Sequence, residues 1–424
     1  MPKGVEVRVL SRAQKTQTSR LRGTLCFCAG RSDVLHLQNR EAGSRTNSAT
    51  AEFDLLPQRA RFFPCYNIHV EKLYAMADNI FYGLLLFVPL ALAAAYLHAS
   101  GVVVFTLAAL AIVPLAKFIG EATEEISSRT SPALGGLLNA TFGNAPELII
   151  GFFALNAGLF ELVKASISGS IVGELLFVVG LSMLVGGWGR EKQTFNRTAV
   201  MANGSTLFLV AIALIIPALF VTTEPTLAGV SIERLSVVVA CALLLVYVAG
   251  LYFSLHTHKH LYTEEVGKFE PRWSLYRSIM TLVFATLAVA FVSDILIASV
   301  GPLIASLHWT QLFLGVIVIA IIGNIGEHFS AVMVARKDRM DLSLQIAIGS
   351  GAQVAMVVAP VLVLASLVLG TPMNLVFDTF ELIAVMLSVL IVNLVVADGE
   401  SNWLEGLQLL AAYAIIGIAF FFHP

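Results

Sequence analysis

Two carboxylates, Glu147 and Glu327, stand in near-matching segments: residues 143–147 read GNAPE and residues 323–327 read GNIGE. A fixed offset of 180 aligns Gly143 with Gly323, Asn144 with Asn324 and Glu147 with Glu327, and it also lays Gly169-Ser170 on Gly349-Ser350. Elsewhere at this offset identity is poor, so the polar and glycine positions persist where the apolar ones drift. That is the mark of a duplication with a retained site. On an uninterrupted helix, Asn144 and Glu147 share a face, as do Ser170 and Glu174, and Ser350 and Gln353. Nearly all these groups are oxygen donors, with no Cys or Met among them. Hard cations prefer such oxygens, and calcium takes roughly 6–8 of them from carboxylates, amide and backbone carbonyls and water. Two carboxylates balance a divalent charge. Without the ion, two or three acids held close together cannot all stay ionised, so protons take the place of the metal.

The neighbouring polar residues are less symmetric. Glu174 has no counterpart, because position 354 is Val; it reads either as a further ligand or as a structural hydrogen-bonding group. His328 follows Glu327 directly, where it can tune or relay protons. Asp294, Asp378 and Glu381 lie near span ends and read as structural. His256, His258 and His260 alternate in a polar loop and read as solvated. Cys26, Cys28, Cys65 and Cys241 show neither a disulfide framework nor zinc spacing.

The elements that carry these residues follow from composition. Hydrophobic residues make up 57% of the 424 and charged residues 13%, about half the charged share of a soluble domain. Apolar runs near the ~20 residues needed to cross a bilayer recur along the chain. They fall near 80–99, 101–119, 132–157, 165–187, 199–220, 231–253, 275–299, 309–335, 342–369, 375–397 and 403–422. An all-α polytopic membrane protein of about eleven transmembrane helices is predicted, because helices satisfy their own backbone groups in lipid. With a cytoplasmic N-terminus, the inside loops hold twelve Lys and Arg, Lys117 among them, and the outside loops hold only Lys164 and Arg234. That is a strong positive-inside bias. Glu147 then lies in the third span and Glu327 in the eighth, running in opposite directions. Inverted repeats of this kind place transporter substrates at the midplane. Gly143, Pro146, Gly323 and Gly326 are expected to interrupt both motif helices, and no Lys or Arg within the spans is expected to pair with the two acids.

Residues 1–75 carry 12 of the 26 Lys and Arg but only 6 of the 28 acids. This basic extension lacks an apolar run and reads as disordered; a start at Met76, a transit peptide and a cytoplasmic tail are the three explanations. The remaining chain divides into a first repeat with its leading helix (76–253), a cytoplasmic loop (254–274) and a second repeat (275–424).

The stretches GEATEEIS (120–127), LLNATFGNAPELIIGFFAL (137–155), GSIVGELLFVVG (169–180) and GNIGEHFSAVMVARKDRMDLSLQIAIGSGAQ (323–353) resemble the cation/calcium exchanger superfamily, most closely its calcium/proton antiporter (CAX) family. The resemblance covers 76–424. It implies one leading helix plus two inverted five-helix repeats, with the second and seventh helices as a sliding gate. It makes Glu147 and Glu327 the calcium and proton carriers, with Asn144, Asn324, Ser170, Ser350 and Gln353 on the polar site positions. His328 matches the histidine of the family's second repeat. Glu121, Glu124 and Glu125 match acids at the cytoplasmic mouth, as cation attractors or as a solvated helix end. Glu174 departs from the family, which typically has Asn there, and the 254–274 loop is less acidic than in many relatives.

The expected activity is export of cytosolic calcium against entering protons, with the lipid bilayer as the only other partner and no cofactor. The membrane is expected to be a bacterial plasma membrane, with a vacuolar or organellar one as the alternative. Exchange of sodium, potassium or manganese on the same fold is the nearest rival, and a passive channel the next. An enzyme is disfavoured because Glu327-His328 makes no HExxH pattern. Nucleic acid is disfavoured because the basic residues concentrate in the extension.

Overall fold

A computed structural model of the chain describes residues 79–423, apart from 131, 225, 227–229 and 258–270. The expectations for the 1–75 extension, the Met76 start, His258 and His260 lie outside the described residues.

The described chain is almost wholly helical. In order the helices are α1 (Asn79–Tyr96), α2 (Gly101–Ser127), α3 (Pro132–Phe142), α4 (Ala145–Asn156), α5 (Phe160–Gly187), α6 (Arg197–Thr223), α7 (Ser231–Thr257), α8 (Leu275–Ala298), α9 (Val300–Leu307), α10 (Gln311–Arg336), α11 (Met340–Val368), α12 (Thr379–Val395) and α13 (Trp403–Phe422). Among the described residues nine of these are long and apolar enough to cross a membrane: α1, α2, α5, α6 from Gly204, α7, α8, α10, α11 and α13. Shorter apolar helices, α4 and α12, complete the set. The protein is an all-α polytopic membrane protein.

Local signals set the ends of several helices. Asp378 and Glu381 form a reciprocal capping box at the start of α12, and Asn402 and Glu405 do the same for α13, each satisfying N–H groups that lipid cannot. Ser274 and Thr310 accept from the first turns of α8 and α10. Two-residue strands β1 (Gln193–Thr194) and β2 (Glu400–Ser401) pair antiparallel and tie the α5–α6 and α12–α13 turns together. This binds elements 208 positions apart, Lys192 bonding to Glu400 at 2.6 Å.

The core is built around α5, the most buried of the long helices, whereas α1, α7 and α13 bury little and present apolar faces outward. Where α5 meets α10, their backbones touch: a Cβ on Gly169 would collide with the Val316 backbone. Such close approach is how small residues bring membrane helices together. Around this centre α2 packs along α8 and against α10.

The helices reach further than the hydropathy breaks suggest. The second predicted span, 101–119, continues to Ser127, so Lys117 is a buried helical residue and not part of a loop. Lys164 likewise lies inside α5, where its ammonium donates to Asn374 Oδ1 at 2.9 Å and to the Val376 carbonyl at 2.7 Å. Cations therefore do stand within the spans where none was expected, Lys117 paired with Glu121 one turn on and Lys164 held by residues 210 and 212 positions away.

Candidate cation site

The first motif breaks its helix as expected. α3 ends at Phe142 and α4 begins at Ala145; Asn144, at φ −96° and ψ 20°, is the non-helical cap between them. Pro146 falls in the first turn of α4, where its missing N–H costs nothing. Glu147 stands in that same turn, at the positive end of the α4 dipole. Because Asn144 is not helical, it does not share a regular helix face with Glu147; the expectation from spacing fails at that pair.

The second motif does not break. Residues 320–336 form an unbroken α-helix through Gly323, Asn324, Gly326 and Glu327, and the irregularity is a π-helical stretch just before it, Leu314–Ile319. Where the first motif has Asn144 as a cap followed by Pro146, the second has Gly326, which weakens a helix but leaves its ladder intact. Further π stretches follow both Gly-Ser pairs, at Gly173–Val178 and Val354–Val358. These two coincide at the offset of 180, and π turns of this kind cluster at functional sites.

The two motifs face each other. A Cβ on Gly323 would stand 2.8 Å from Glu147 Oε1, and one on Gly143 would stand 3.3 Å from Glu327 Oε1. Each carboxylate thus lies on the glycine of the other copy, space that any larger residue would fill. The amides cross over as well. Asn144 Nδ2 donates to Gln353 Oε1 on α11 at 3.0 Å, and Asn324 Nδ2 donates to Ser170 Oγ on α5 at 2.9 Å and to the Ala320 carbonyl at 2.9 Å. Ser350 neighbours the carboxylates of both Glu174 and Glu327.

With their N–H groups spent in this way, the amides leave only acceptors. Asn144 Oδ1, Asn324 Oδ1, Glu147 Oε2, Glu327 Oε2 and Glu174 Oε2 are buried without a hydrogen-bond partner. Orphaned buried oxygens are uncommon in folded proteins and cost roughly 1–3 kcal/mol each when left so. Acceptors gathered in this way are what a cation could satisfy. Among the described residues no three His, Cys, Asp or Glu side chains form a closed metal cage, so the amide and hydroxyl oxygens are needed to complete a shell.

Glu174 and His328, each without a counterpart in the other copy, meet. His328 Nε2 lies 3.1 Å from Glu174 Oε1, both side chains buried, and the imidazole stacks edge-on against Phe177 at 5.9 Å. Spacing did not foretell this pair, since 154 positions separate its members. The π turn containing Glu174 also removes it from the regular face of Ser170.

The acids at the α2 end are distributed differently from the expectation. Glu121 pairs with Lys117 one turn back. Glu125 is buried and accepts the backbone N–H groups of Arg272 at 2.8 Å and Trp273 at 3.2 Å, while Arg129 donates to the Trp273 carbonyl. Those two residues immediately precede α8, so Glu125 and Arg129 clamp the end of α2 to the start of α8. Of the three acids only Glu124 is exposed. The i,i+4 spacing of Lys117 with Glu121 and of Glu125 with Arg129 is the signal from which these pairs are legible. Asp378 and Glu381 are structural as read: Glu381 accepts from Ser168 Oγ at 2.7 Å and from the Asp378 N–H at 2.9 Å.

The profile of the family described as sodium/calcium exchanger protein matches residues 100–256 and 277–422, one motif copy in each stretch. The chain belongs to this family. Within it, the chain is 47% identical over 365 residues to the "Ca(2+)/H(+) antiporter" of Aphanothece halophytica, covering 82% of this chain and 97% of that protein. It is 43% identical over 342 residues to the "Ca(2+)/H(+) antiporter ChaA" of Bacillus subtilis, covering 79% and 96%. The solved structure of native YfkE superposes with a TM-score of 0.72 at 40% identity, covering 81% of this chain and all of that one. The resemblance to calcium/proton antiporters carried by the motifs is therefore borne out among its relatives.

Proposed function

We propose that this exchanger-family protein moves calcium against protons by alternating access, with Glu147 and Glu327 as the two halves of one carrier site. The observation that carries the reading is the set of buried, donor-less oxygens gathered where the two GNxxE segments meet. Calcium offers these acceptors a common partner, and protonation of the carboxylates turns some of them into donors. The names of the 43–47% identical relatives, antiporters of calcium and protons, point the same way.

In this reading the nine long helices, the α3–α4 pair and α12 make eleven crossings, the first half spanning 76–253 and the second 275–424. The end bearing Arg129, Arg190, Arg272 and Arg336 is cytoplasmic, by the positive-inside bias. Calcium arriving there binds the ionised carboxylates, with Asn144, Asn324, Ser170, Ser350, Gln353 and Glu174 supplying or positioning further oxygens. Its release on the far side leaves two anions close together, and carrying that charge pair back through a low-dielectric interior is costly. Protons from the far side neutralise the carboxylates, and the neutral site returns. That requirement makes the exchange obligatory. His328, against Glu174, is placed to assist the proton's passage. The close α5–α10 crossing at Gly169 fits a state shut on the far side. A bacterial plasma membrane is the proposed host, and a vacuolar one the alternative.

Purified protein in proteoliposomes, given an outward-directed proton gradient and equal calcium on both sides, is expected to accumulate calcium inside. A passive channel leaves calcium level. Uphill uptake that persists in Glu327→Gln contradicts the assignment of the carrier, and uphill movement of another cation in place of calcium contradicts the substrate.

A further inference from the structure

Away from the cation site, α1, α2 and α8 line an open groove of about 630 Å³. Its floor is apolar: Val88, Leu115, Met280, Phe284 and Ala288. Its rim, at one end only, is formed by Tyr82, Trp273, Tyr276 and Arg277. From Leu275, the first residue of α8, to Ala288 is 13 residues, about 20 Å along a helix, with Trp273 just before it. That matches one leaflet: roughly half of a ~30 Å hydrocarbon core, plus a headgroup layer.

The rim is held in place. The backbone of Trp273 is pinned from both sides by Glu125 and Arg129, and the Arg277 guanidinium lies 4.7 Å over its ring. Arg277 and Tyr276 are both exposed, as is Phe284 lower down, so the groove opens sideways to whatever surrounds the helices. Tyr and Trp at such a level belong to the membrane interface. A basic, aromatic-rimmed cleft between membrane helices, apolar below, fits a lipid with an anionic head.

We propose that this groove holds one phospholipid of the leaflet at the Arg277 end, its acyl chain along α8 and its anionic headgroup phosphate on Arg277. The lipid would then line the two helices that the Glu125–Arg129 clamp joins, so its occupancy bears on how α2 and α8 move together. A zwitterionic headgroup fits the apolar floor equally well but offers less net charge to the guanidinium.

Native mass spectrometry of the full chain in detergent, titrated with phosphatidylglycerol or phosphatidylcholine, tests this. One retained phosphatidylglycerol per chain is expected, with about fivefold preference over phosphatidylcholine, the effect of a single basic residue at an anionic surface. Arg277→Gln should bring the preference to parity. Ala288→Trp should abolish retention of either lipid, while Ile212→Trp, on the exposed face of α6, should retain both. An undiminished preference in Arg277→Gln overturns the proposal, as does retention unchanged in Ala288→Trp. So does displacement of the lipid by glycerol 3-phosphate as readily as by phosphatidylglycerol, which marks a site for free phosphate. Because Arg277 is exposed, its variant keeps the test decisive even where Trp at 288 impairs folding.

Discussion

The two motif copies share residues but not geometry. In the first, the helix stops at Phe142, Asn144 caps a new one, and Glu147 sits at its N-terminal turn. In the second, the helix runs unbroken from Ala320 to Arg336, and Glu327 lies in its middle with His328 beside it. Gly169 is pressed against the backbone of Val316, while a Cβ added at its counterpart Gly349 would meet no neighbouring atom within 4 Å. Yet each glutamate lies on the other copy's glycine, and each asparagine donates across to a helix of the other half. Duplication has thus kept the contacts that build the site and let the supporting backbone diverge. One copy presents its carboxylate on the positive end of a helix dipole, the other on a helix side, so the single site proposed here has inequivalent halves.

The sharpest way to break this comparison is at the aligned glycines. Gly169→Ala puts a methyl into backbone that cannot retreat, and overpacking of this sort costs about 1–3 kcal/mol or more. A clear loss of thermal stability is expected, where Gly349→Ala should be close to neutral. Equal effects would mean that the two crossings are alike after all. A smaller effect is expected from Glu174→Asn, which gives up the charge beside His328 but keeps a hydrogen-bonding group. Calcium-driven proton flux should survive with calcium affinity about tenfold lower, the worth of one charge-assisted hydrogen bond. Complete loss of flux would place Glu174 on a par with Glu147 and Glu327. Smallest is Pro146→Ala. At the first turn of α4 the ring only favours a start already set by Asn144, so a shift of about 1 kcal/mol or less in stability is expected. A large drop would show that proline, and not the cap, makes the break.

Much of this was legible in the sequence. The repeat offset led directly to Glu147, Glu327 and their amide and hydroxyl neighbours, because polar residues inside apolar runs have few reasons to persist. Hydropathy found the spans but misplaced their ends. Glu121, Glu124 and Glu125 look like loop residues by hydropathy, yet the end of α2 is stabilised by i,i+4 pairs and by the clamp on residues 272–273. Lys117 and Lys164 misled as well, since a cation with a partner inside the fold is indistinguishable by composition from a loop cation. Glycine content foretold two broken helices, but only the copy with a proline and a cap broke. The contact of Glu174 with His328 was beyond reach, because it depends on how two halves pack and on a π turn that carries no residue signature.

The central claim is that Glu147 and Glu327 are parts of one site and not of two. Calorimetric titration of calcium into purified protein in lipid nanodiscs tests it most directly, comparing the natural chain with Glu147→Gln and with Glu327→Gln. A shared site predicts one calcium per chain for the natural protein and none, at the same concentrations, for either variant. Binding that falls only by half in each variant, or that survives intact in one of them, would contradict it.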